Sequence, residues 1–427
     1  MAIKKERRSG FFSKTETLPG RERERLLNRK LRRIVAYAYI HSPAFKKKLD
    51  RAGVAPNDLK TVKDLERLPI TEKADLVTLQ QKTPPFGGWN GVAPEKLGRI
   101  FVSPGPIYEP GEAVYEDRRW AQALFAGGFR PGDLCQITFS FHLVPFGFML
   151  DSSLRMLGCR TIPAGVGNTE VQVRFMKDLK VTGFLGTPSF LNTLLEKALE
   201  MGLDPKKDLK LQTAFVAAEM LPESLRDRLE TQLGVMVRQS YGTADIGCLG
   251  FECVRKNGMH FPDDCIVEVV DPRTGKGCKP GEVGEVVGTC FNPVYPLIRF
   301  GSGDLAYYSD EPCPCGRTSP RLMKIVGRVD QMTKVKGMFI HPGQVEAVAA
   351  KFKEICGCQI VVTREGHQDR MLFRAEVIRP EAVSRELIEA VKRTLHDILR
   401  IRGEVEFLPP GTLPPGAKKI EDRRVWD

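Results

Sequence analysis

Between residues 21 and 50, charged and apolar positions alternate at helical spacing. Leu27, Leu31, Ile34 and Ala38 recur on one face and Arg25, Arg29, Lys30 and Arg33 fall largely elsewhere, which predicts a long helix docked along one side. From about residue 95 the pattern becomes a cycle of short apolar run, Gly/Pro/Asp turn and amphipathic segment. The apolar runs are Leu134–Phe139 after Pro131-Gly132-Asp133, Gly158–Pro163 before Gly165, Val181–Leu185 before Thr187-Pro188, and Thr213–Ala217 before a helix starting near Pro222. Such runs alternating with helices of about a dozen residues imply βαβ units and a mainly parallel sheet. Between 265 and 300 the texture turns to Val-rich alternation, predicting antiparallel strands at Ile266–Val270 and Gly284–Gly288. Residues 331–427 predict a compact α+β module, with helices over Gln344–Phe352 and Pro380–Leu399 and strands over Gln359–Thr363 and Leu372–Val377. The expected fold is α/β: a large N-terminal domain (1–329) with mixed and parallel sheets and a small β section, then a smaller α+β domain (330–427).

Composition narrows this picture. Hydrophobic residues at 42% and charged residues at 28% describe a globular chain of 427 residues, not a disordered one. The formal charge of +12 is unevenly spread: residues 1–51 hold sixteen Lys/Arg and five Asp/Glu, a net of +11, leaving about +1 for the other 376. A basic terminus on a near-neutral body is not a basic groove, so no specific nucleic-acid partner is expected. No apolar run approaches the roughly 18 residues that span a bilayer, and the basic start leads into Ser9-Gly10-Phe11-Phe12 rather than the apolar core of a secretory signal. Eleven cysteines, an odd number spread along the chain, argue against a disulfide framework and for a reducing compartment; the cytoplasm is the expected location. The first twenty residues, with five Lys/Arg and two Glu, read as a solvated tail.

Three stretches carry candidate chemistry. Gln239-Ser240-Tyr241-Gly242-Thr243-Ala244-Asp245, at the end of the run beginning at Gly234, supplies an aromatic face, a glycine, a hydroxyl and a carboxylate. Those are the parts needed to stack a base, approach a phosphate and hold Mg²⁺ through oxygen. Arg299–Leu305, followed by Gly327–Gln331, places Asp304 in a Gly-rich turn able to accept ribose hydroxyls, with Arg328 as a charged donor. Cys253-x6-His260 with Cys313-Pro314-Cys315-Gly316 offers three sulfurs and one imidazole, a closed and therefore structural Zn²⁺ set, with Cys265 as an alternative ligand. Gly-x-Ser-x-Gly, His-Glu-x-x-His and Gly-x-x-x-x-Gly-Lys-Ser/Thr are all missing.

In this order, and together with Leu31–Phe45, Ala52–Val54, Leu65–Leu76, Ala126–Asp133, Ile162–Glu170, Gly186–Ser189, Lys336-Gly337 and Ile340–Glu346, the chain closely resembles the phenylacetate–CoA ligase family of acyl-adenylate-forming synthetases. The resemblance implies an acid–thiol ligase using ATP, Mg²⁺ and CoA: an aromatic or related carboxylic acid and MgATP give acyl-AMP, and the CoA thiol displaces AMP. It places Ala217, Ala218 and Glu219 in the adenine pocket, Tyr241 and Gly242 against the purine, Thr243 on phosphate and Asp245, where the family usually has Glu, on Mg²⁺. It gives Asp304 and Arg328 to the ribose, Asp330 to the hinge of a mobile C-terminal domain, and the late catalytic lysine to Lys418 or Lys419. Phe141 and His142 fall in the stretch that walls the acyl pocket, and the zinc cysteines echo some family members. A homodimer is among the assemblies the sequence leaves open.

One stretch departs from the family. The Ser/Thr/Gly-rich phosphate loop is replaced by Val102–Glu112, where three prolines remove amide donors, Glu109 and Glu112 add negative charge, and no lysine stands. Two alternatives follow: an adenylylating synthetase with an acceptor other than CoA, or a non-catalytic nucleotide- or acyl-binding protein. A third class is an anionic-membrane or nucleic-acid binder acting through a dispensable basic N-terminus.

Overall fold

A computed structural model describes residues 5–103, 106–112, 117–335, 338–365, 368–414 and 416–424. Pro104 and Gly105 of the altered loop, and Lys336-Gly337, lie outside the described residues. Contacts divide the chain into two compact units, Met1–Ser302 with Tyr307–Lys324, and Gly303–Ala306 with Ile325–Asp427.

The first unit opens with α1 (Gly20–His41), α2 (Pro43–Ala52) and α3 (Lys73–Lys82), followed by a hairpin of β1 (Arg99–Ser103) and β2 (Ile107–Gly111). In α1 most of the predicted stripe is inside: Leu31, Ile34 and Ala38 are buried, joined by Val35, while Leu27 is half-buried. After α4 (Arg118–Ala126) come β3 (Leu134–Ile137), α5 (Phe146–Met156), β4 (Arg160–Pro163), α6 (Thr169–Asp178), β5 (Gly183–Gly186), α7 (Pro188–Glu200), the short α8 (Pro205–Asp208), β6 (Thr213–Val216), α9 (Glu223–Leu233) and β7 (Met236–Thr243). These strands pair in parallel in the order β4-β3-β5-β6-β7.

Alternation along the strands explains the two cores. Leu185 and Phe215 pack with Trp120, Phe129 and Leu150 on one face, while their neighbours Phe184 and Val216 pack with Leu191, Leu194 and Leu229 on the other. A sheet covered on both faces needs the near-continuous apolar strands seen in the sequence.

Beyond β7 the sheet turns antiparallel through β8 (Gly247–Glu252), β9 (Met259–His260), β10 (Cys265–Val270), β11 (Gly284–Cys290), β12 (Phe300–Ser309) and β13 (Arg321–Arg328), eleven strands among the described residues. The second unit holds β14 (Thr333–Val335), β15 (Met338–Ile340), α10 (Pro342–Ala349), β16 (Ile355–Glu365), β17 (Gln368–Val377), α11 (Arg385–Leu399), β18 (Glu404–Leu408) and β19 (Ile420–Asp422). Its core joins Ile360, Val362 and Phe373 to Val345 and Leu395. The helix expected from Pro380 begins five residues later, because Ser384 Oγ accepts from Leu387 N–H at 3.2 Å and caps α11.

Two expectations are corrected. The N-terminal segment is not a solvated tail: Arg7 makes two hydrogen bonds with Asp133, at 2.6 and 2.7 Å, and a third to Gly128 O at 2.9 Å. Glu16, wholly buried, takes Arg317 Nε at 2.5 Å. Ion pairs more than a hundred residues apart leave no local periodicity, so composition alone read this segment as surface. Likewise, where the altered phosphate loop is described it is mainly strand, β1 ending at Ser103 and β2 starting at Ile107: Ile107 and Glu109 turn inward while Tyr108 turns out, and Tyr108 N–H donates to Gln80 Oε1 at 2.8 Å.

Candidate active site

In a doubly wound sheet the ligand crevice lies beyond the carboxyl ends of the strands, where strand order reverses. Here that point falls between β3 and β5. Thr138 donates from its N–H and its hydroxyl to Leu185 O, at 2.8 and 2.9 Å, and a Cβ on Gly186 would lie 2.1 Å from Thr138 Oγ1. Next along, β6 runs out into Ala217 and Ala218; Ala218 adopts a φ of 68°, a left-handed conformation costly for a residue with a side chain. Glu219 turns back onto the first turn of α7, accepting from Ser189 Oγ at 2.9 Å and Ser189 N–H at 3.3 Å. The three predicted adenine-pocket residues therefore share one strand end.

β7 continues further than its apolar run suggests, carrying Tyr241, Gly242 and Thr243 inside the strand. The ladder with β8 shifts register between Tyr241 and Gly242, and a Cβ on Gly242 would lie 2.4 Å from Gly247 O, so glycine is demanded there. The Thr243 hydroxyl accepts from Ile246 N–H at 3.2 Å, closing the turn. Asp245, in that turn, is buried and takes Lys73 Nζ at 2.9 Å.

Sequence reasoning missed two residues here. Lys73 starts α3, 172 residues before its partner, and nothing local marks it. Glu109 was legible only as an awkward charge in a phosphate loop; in the structure it is buried on β2, and burial with Asp245 beside it pushes its carboxyl up to about 8. Asp245 and Glu109 line a cavity of about 270 Å³ together with Arg118, Arg119, Asn292 and Tyr295. Close by, Val102 N–H donates to Leu143 O at 2.9 Å, tying the hairpin to the loop that bears Phe141 and His142. Phe141 meets Phe148 edge-on at 5.2 Å, whereas His142 is exposed and its backbone N–H donates to Ser140 Oγ at 2.9 Å.

Within the second unit, the two predicted ribose residues are joined, Arg328 Nη1 donating to Asp304 Oδ1 at 2.7 Å. Asp330 lies in a single 3₁₀ turn, Val329–Gln331, and is exposed. Lys418 is also exposed, while the side chain of Lys419 leans 3.8 Å from Glu346 Oε1 and its carbonyl accepts from Ile360 N–H at 2.8 Å. Pairing with β16 engages both backbones, since Gln359 Nε2 donates to Lys418 O at 3.0 Å, and the side chain of Lys418 is exposed.

The cysteine–histidine set converges. One ligand atom from each of Cys253, His260, Cys313 and Cys315 lies within 4.8 Å of the others. Arg255 N–H donates to Cys253 Sγ and Arg317 N–H to Cys315 Sγ, both at 3.4 Å, and Ser319 O faces His260 Nδ1 at 3.2 Å, leaving Nε2 toward Cys315. Hydrogen bonding from Cys253, with His260 alongside, draws Cys315 toward its thiolate. Amide donors on the sulfurs and a carbonyl on the outer ring nitrogen are the supports that a tetrahedral metal requires. Cys265, the alternative ligand, is elsewhere: its thiol lies against Cys248 O.

A switch point in a parallel sheet, an aromatic–glycine–carboxylate strand end and a second α+β unit together describe an AMP-binding enzyme. Residues 138–289 match the AMP-binding enzyme family and residues 337–427 match the AMP-binding enzyme C-terminal domain. A phenylacetate-coenzyme A ligase of Thermus thermophilus is 34% identical over 96% of this chain and 98% of its own length, and one of Aromatoleum evansii is 31% identical over 91% and 92%. A 2-hydroxyisobutyryl-CoA ligase, solved in an open conformation with 2-HIB-AMP and CoA, superposes with a TM-score of 0.85 at 27% identity, covering 96% of this chain and 93% of that one. The chain belongs to the phenylacetate–CoA ligase family of AMP-binding enzymes. No helix among the described residues is long and apolar enough to cross a membrane.

Proposed function

We propose that the chain is an ATP-dependent acyl-CoA ligase acting on an aromatic or related carboxylic acid. The observation that carries this reading is end-to-end similarity to phenylacetate-coenzyme A ligases on a fold whose strand ends assemble the expected nucleotide residues. Carboxylate oxygen attacks the α-phosphorus of ATP, pyrophosphate leaves, and the CoA thiol then displaces AMP from the acyl carbon. Both first-step reactants are anions, so the protein must align them and offset their charge.

Ala217, Ala218, Glu219, Tyr241 and Gly242 would receive the adenine, and Asp304 with Arg328 the ribose. Thr243 keeps its proposed place near phosphate: its hydroxyl accepts from Ile246 N–H in the turn and keeps its own O–H to donate. The buried, partly unpartnered carboxylate of Asp245 suits Mg²⁺, which neutralises phosphate charge when bound. Lys418, the more exposed of its pair, is the proposed catalytic lysine; Asp330 is the proposed hinge, and Phe141 and His142 would line the acyl side. Cys253, His260, Cys313 and Cys315 suit a structural Zn²⁺. All eleven cysteines are unpaired, which suits a reducing cytoplasm.

Acid-dependent ATP–pyrophosphate exchange against a panel of aryl and aliphatic acids, followed by mass spectrometry of the CoA thioester, tests the reading. Lys418→Ala is expected to lower exchange by about a hundredfold or more, in the range for loss of a group acting on the reacting atoms. No exchange with any acid, alongside calorimetric AMP binding, would instead support the nucleotide-binding alternative that the altered hairpin motivates.

A further inference from the structure

The β1–β2 hairpin does more than withhold amide donors. It delivers Glu109, 4% exposed, to the cavity that also holds Asp245, whose side chain is 1% exposed. Among the described residues Lys73 pairs with Asp245, by one oxygen at 2.9 Å. Among the described residues, Asp245 Oδ1 and Glu109 Oε1 are buried without a hydrogen-bond partner, as is the hydroxyl of Tyr295, 4% exposed on the same wall.

Burying a polar group without a partner costs about 1–3 kcal/mol and more when it is charged, so two carboxylate oxygens and a phenol on one wall call for something absent from the chain itself. The donor set is all oxygen, two carboxylates and a phenol, which matches a hard cation rather than zinc or copper. A protonated amine or a water would fill one of these gaps, whereas a divalent ion is able to serve both carboxylates of one cavity. Mg²⁺ is commonly held by one or two carboxylates plus phosphate oxygens, and that is the number of carboxylates here.

We propose that Glu109 and Asp245 jointly seat one divalent cation of the Mg²⁺/Mn²⁺ class, and that the Lys73 ammonium stands in its place until the cation arrives. The proposal rests on the ligase reading only in supposing that the phosphates meet this cation. In that setting the hairpin's glutamate is a ligand instead of a source of repulsion: an anionic triphosphate is admitted once the cation has offset both carboxylates. Lys73, whose side chain is 38% exposed, can swing out to solvent, and its charge is then free to face the phosphates in a chain whose hairpin brings no lysine.

Titration of nucleotide-free, full-length protein with Mn²⁺, read by electron paramagnetic resonance of the free ion, tests this directly. Wild type should bind one Mn²⁺; Glu109→Gln and Asp245→Asn should each weaken it by about tenfold or more. Lys73→Met should bind several-fold tighter, since no ammonium has to leave. A gain in affinity cannot come from misfolding, so this arm stands even where a carboxylate variant folds poorly. Equal affinity in wild type and Glu109→Gln, or no gain in Lys73→Met, overturns the proposal. Pyrophosphate exchange on the same samples separates the two readings: an intact Mn²⁺ pattern without exchange removes the ligase and keeps the seat, and exchange with a flat Mn²⁺ pattern does the reverse.

Discussion

Lys48 exchanges water for protein oxygens on folding: Thr71 Oγ1 at 2.7 Å, Ile298 O at 2.8 Å and Arg299 O at 3.4 Å. Burial, reinforced by the charge of Arg299, lowers its ammonium to about 7, while burial raises the nearby Glu268 to about 7. The signs are opposite. Above pH 7 the unfolded chain keeps the Lys48 proton and the folded chain does not, so stability rises with pH, by at most about 1.4 kcal/mol per unit for one proton. Glu268 contributes stability that is full below its ordinary range and fades as pH rises through about 7. Thermal melts from pH 7 to 10 should climb in wild type and flatten in Lys48→Met; an equal climb in both would contradict this. At Ala218 the strain is in the backbone: Ala218→Gly should raise stability by up to about 1 kcal/mol, read as a melting temperature one or two degrees higher. None of these partners could be read from the sequence, where Lys48 and Arg299 are ordinary basic residues 251 positions apart.

At the scale of elements, helices and strands were legible because their periodicity is local, and the hydrogen bonds that close over distance were not. The β7–β8 hairpin shows both. Its apolar start was evident, but the bulge at Gly242 follows from how closely Gly247 O approaches, and Gly242→Ala should cost about 1–3 kcal/mol and weaken AMP binding, measured by chemical unfolding and calorimetry. The N-terminal strap is a sharper case. Arg7→Ala strands the buried Asp133, which also takes Thr182 Oγ1 at 2.8 Å and Arg130 N–H at 2.8 Å, and should cost about 3–5 kcal/mol; a double-mutant cycle with Asp133→Ala should recover part of it. Deletion of residues 1–20, expected from charge alone to be harmless, should therefore destabilise the first unit. The cysteine–histidine cluster shares this strap, since Arg317 donates from its backbone to Cys315 Sγ and from its side chain to Glu16.

Over the whole molecule, two units with separate cores predict unfolding that is not two-state. Calorimetry should resolve two transitions, and a zinc chelator should lower only the one belonging to the first unit, which contains all four Cys/His ligands. Movement of both by the same amount would argue against separate units. The overall charge of +12 loses its apparent meaning here, because several of the N-terminal cations are taken up internally: Arg7 by Asp133, Arg23 by Asp263 and Lys30 by Asp264. By itself the sequence determined the α/β class, the order of strands and helices, the family and the cysteine–histidine set, because each is written in short-range periodicity or in residue types at fixed spacing. Only the tertiary structure decided that Cys265 stands apart from that set, that Lys419 leans toward Glu346, that Arg7, Glu16 and Arg23 are clamped to the body, and that Glu109 and Asp245 line one cavity. Those outcomes depend on which side chains lose water together, and that is set by the packing of segments far apart in the chain.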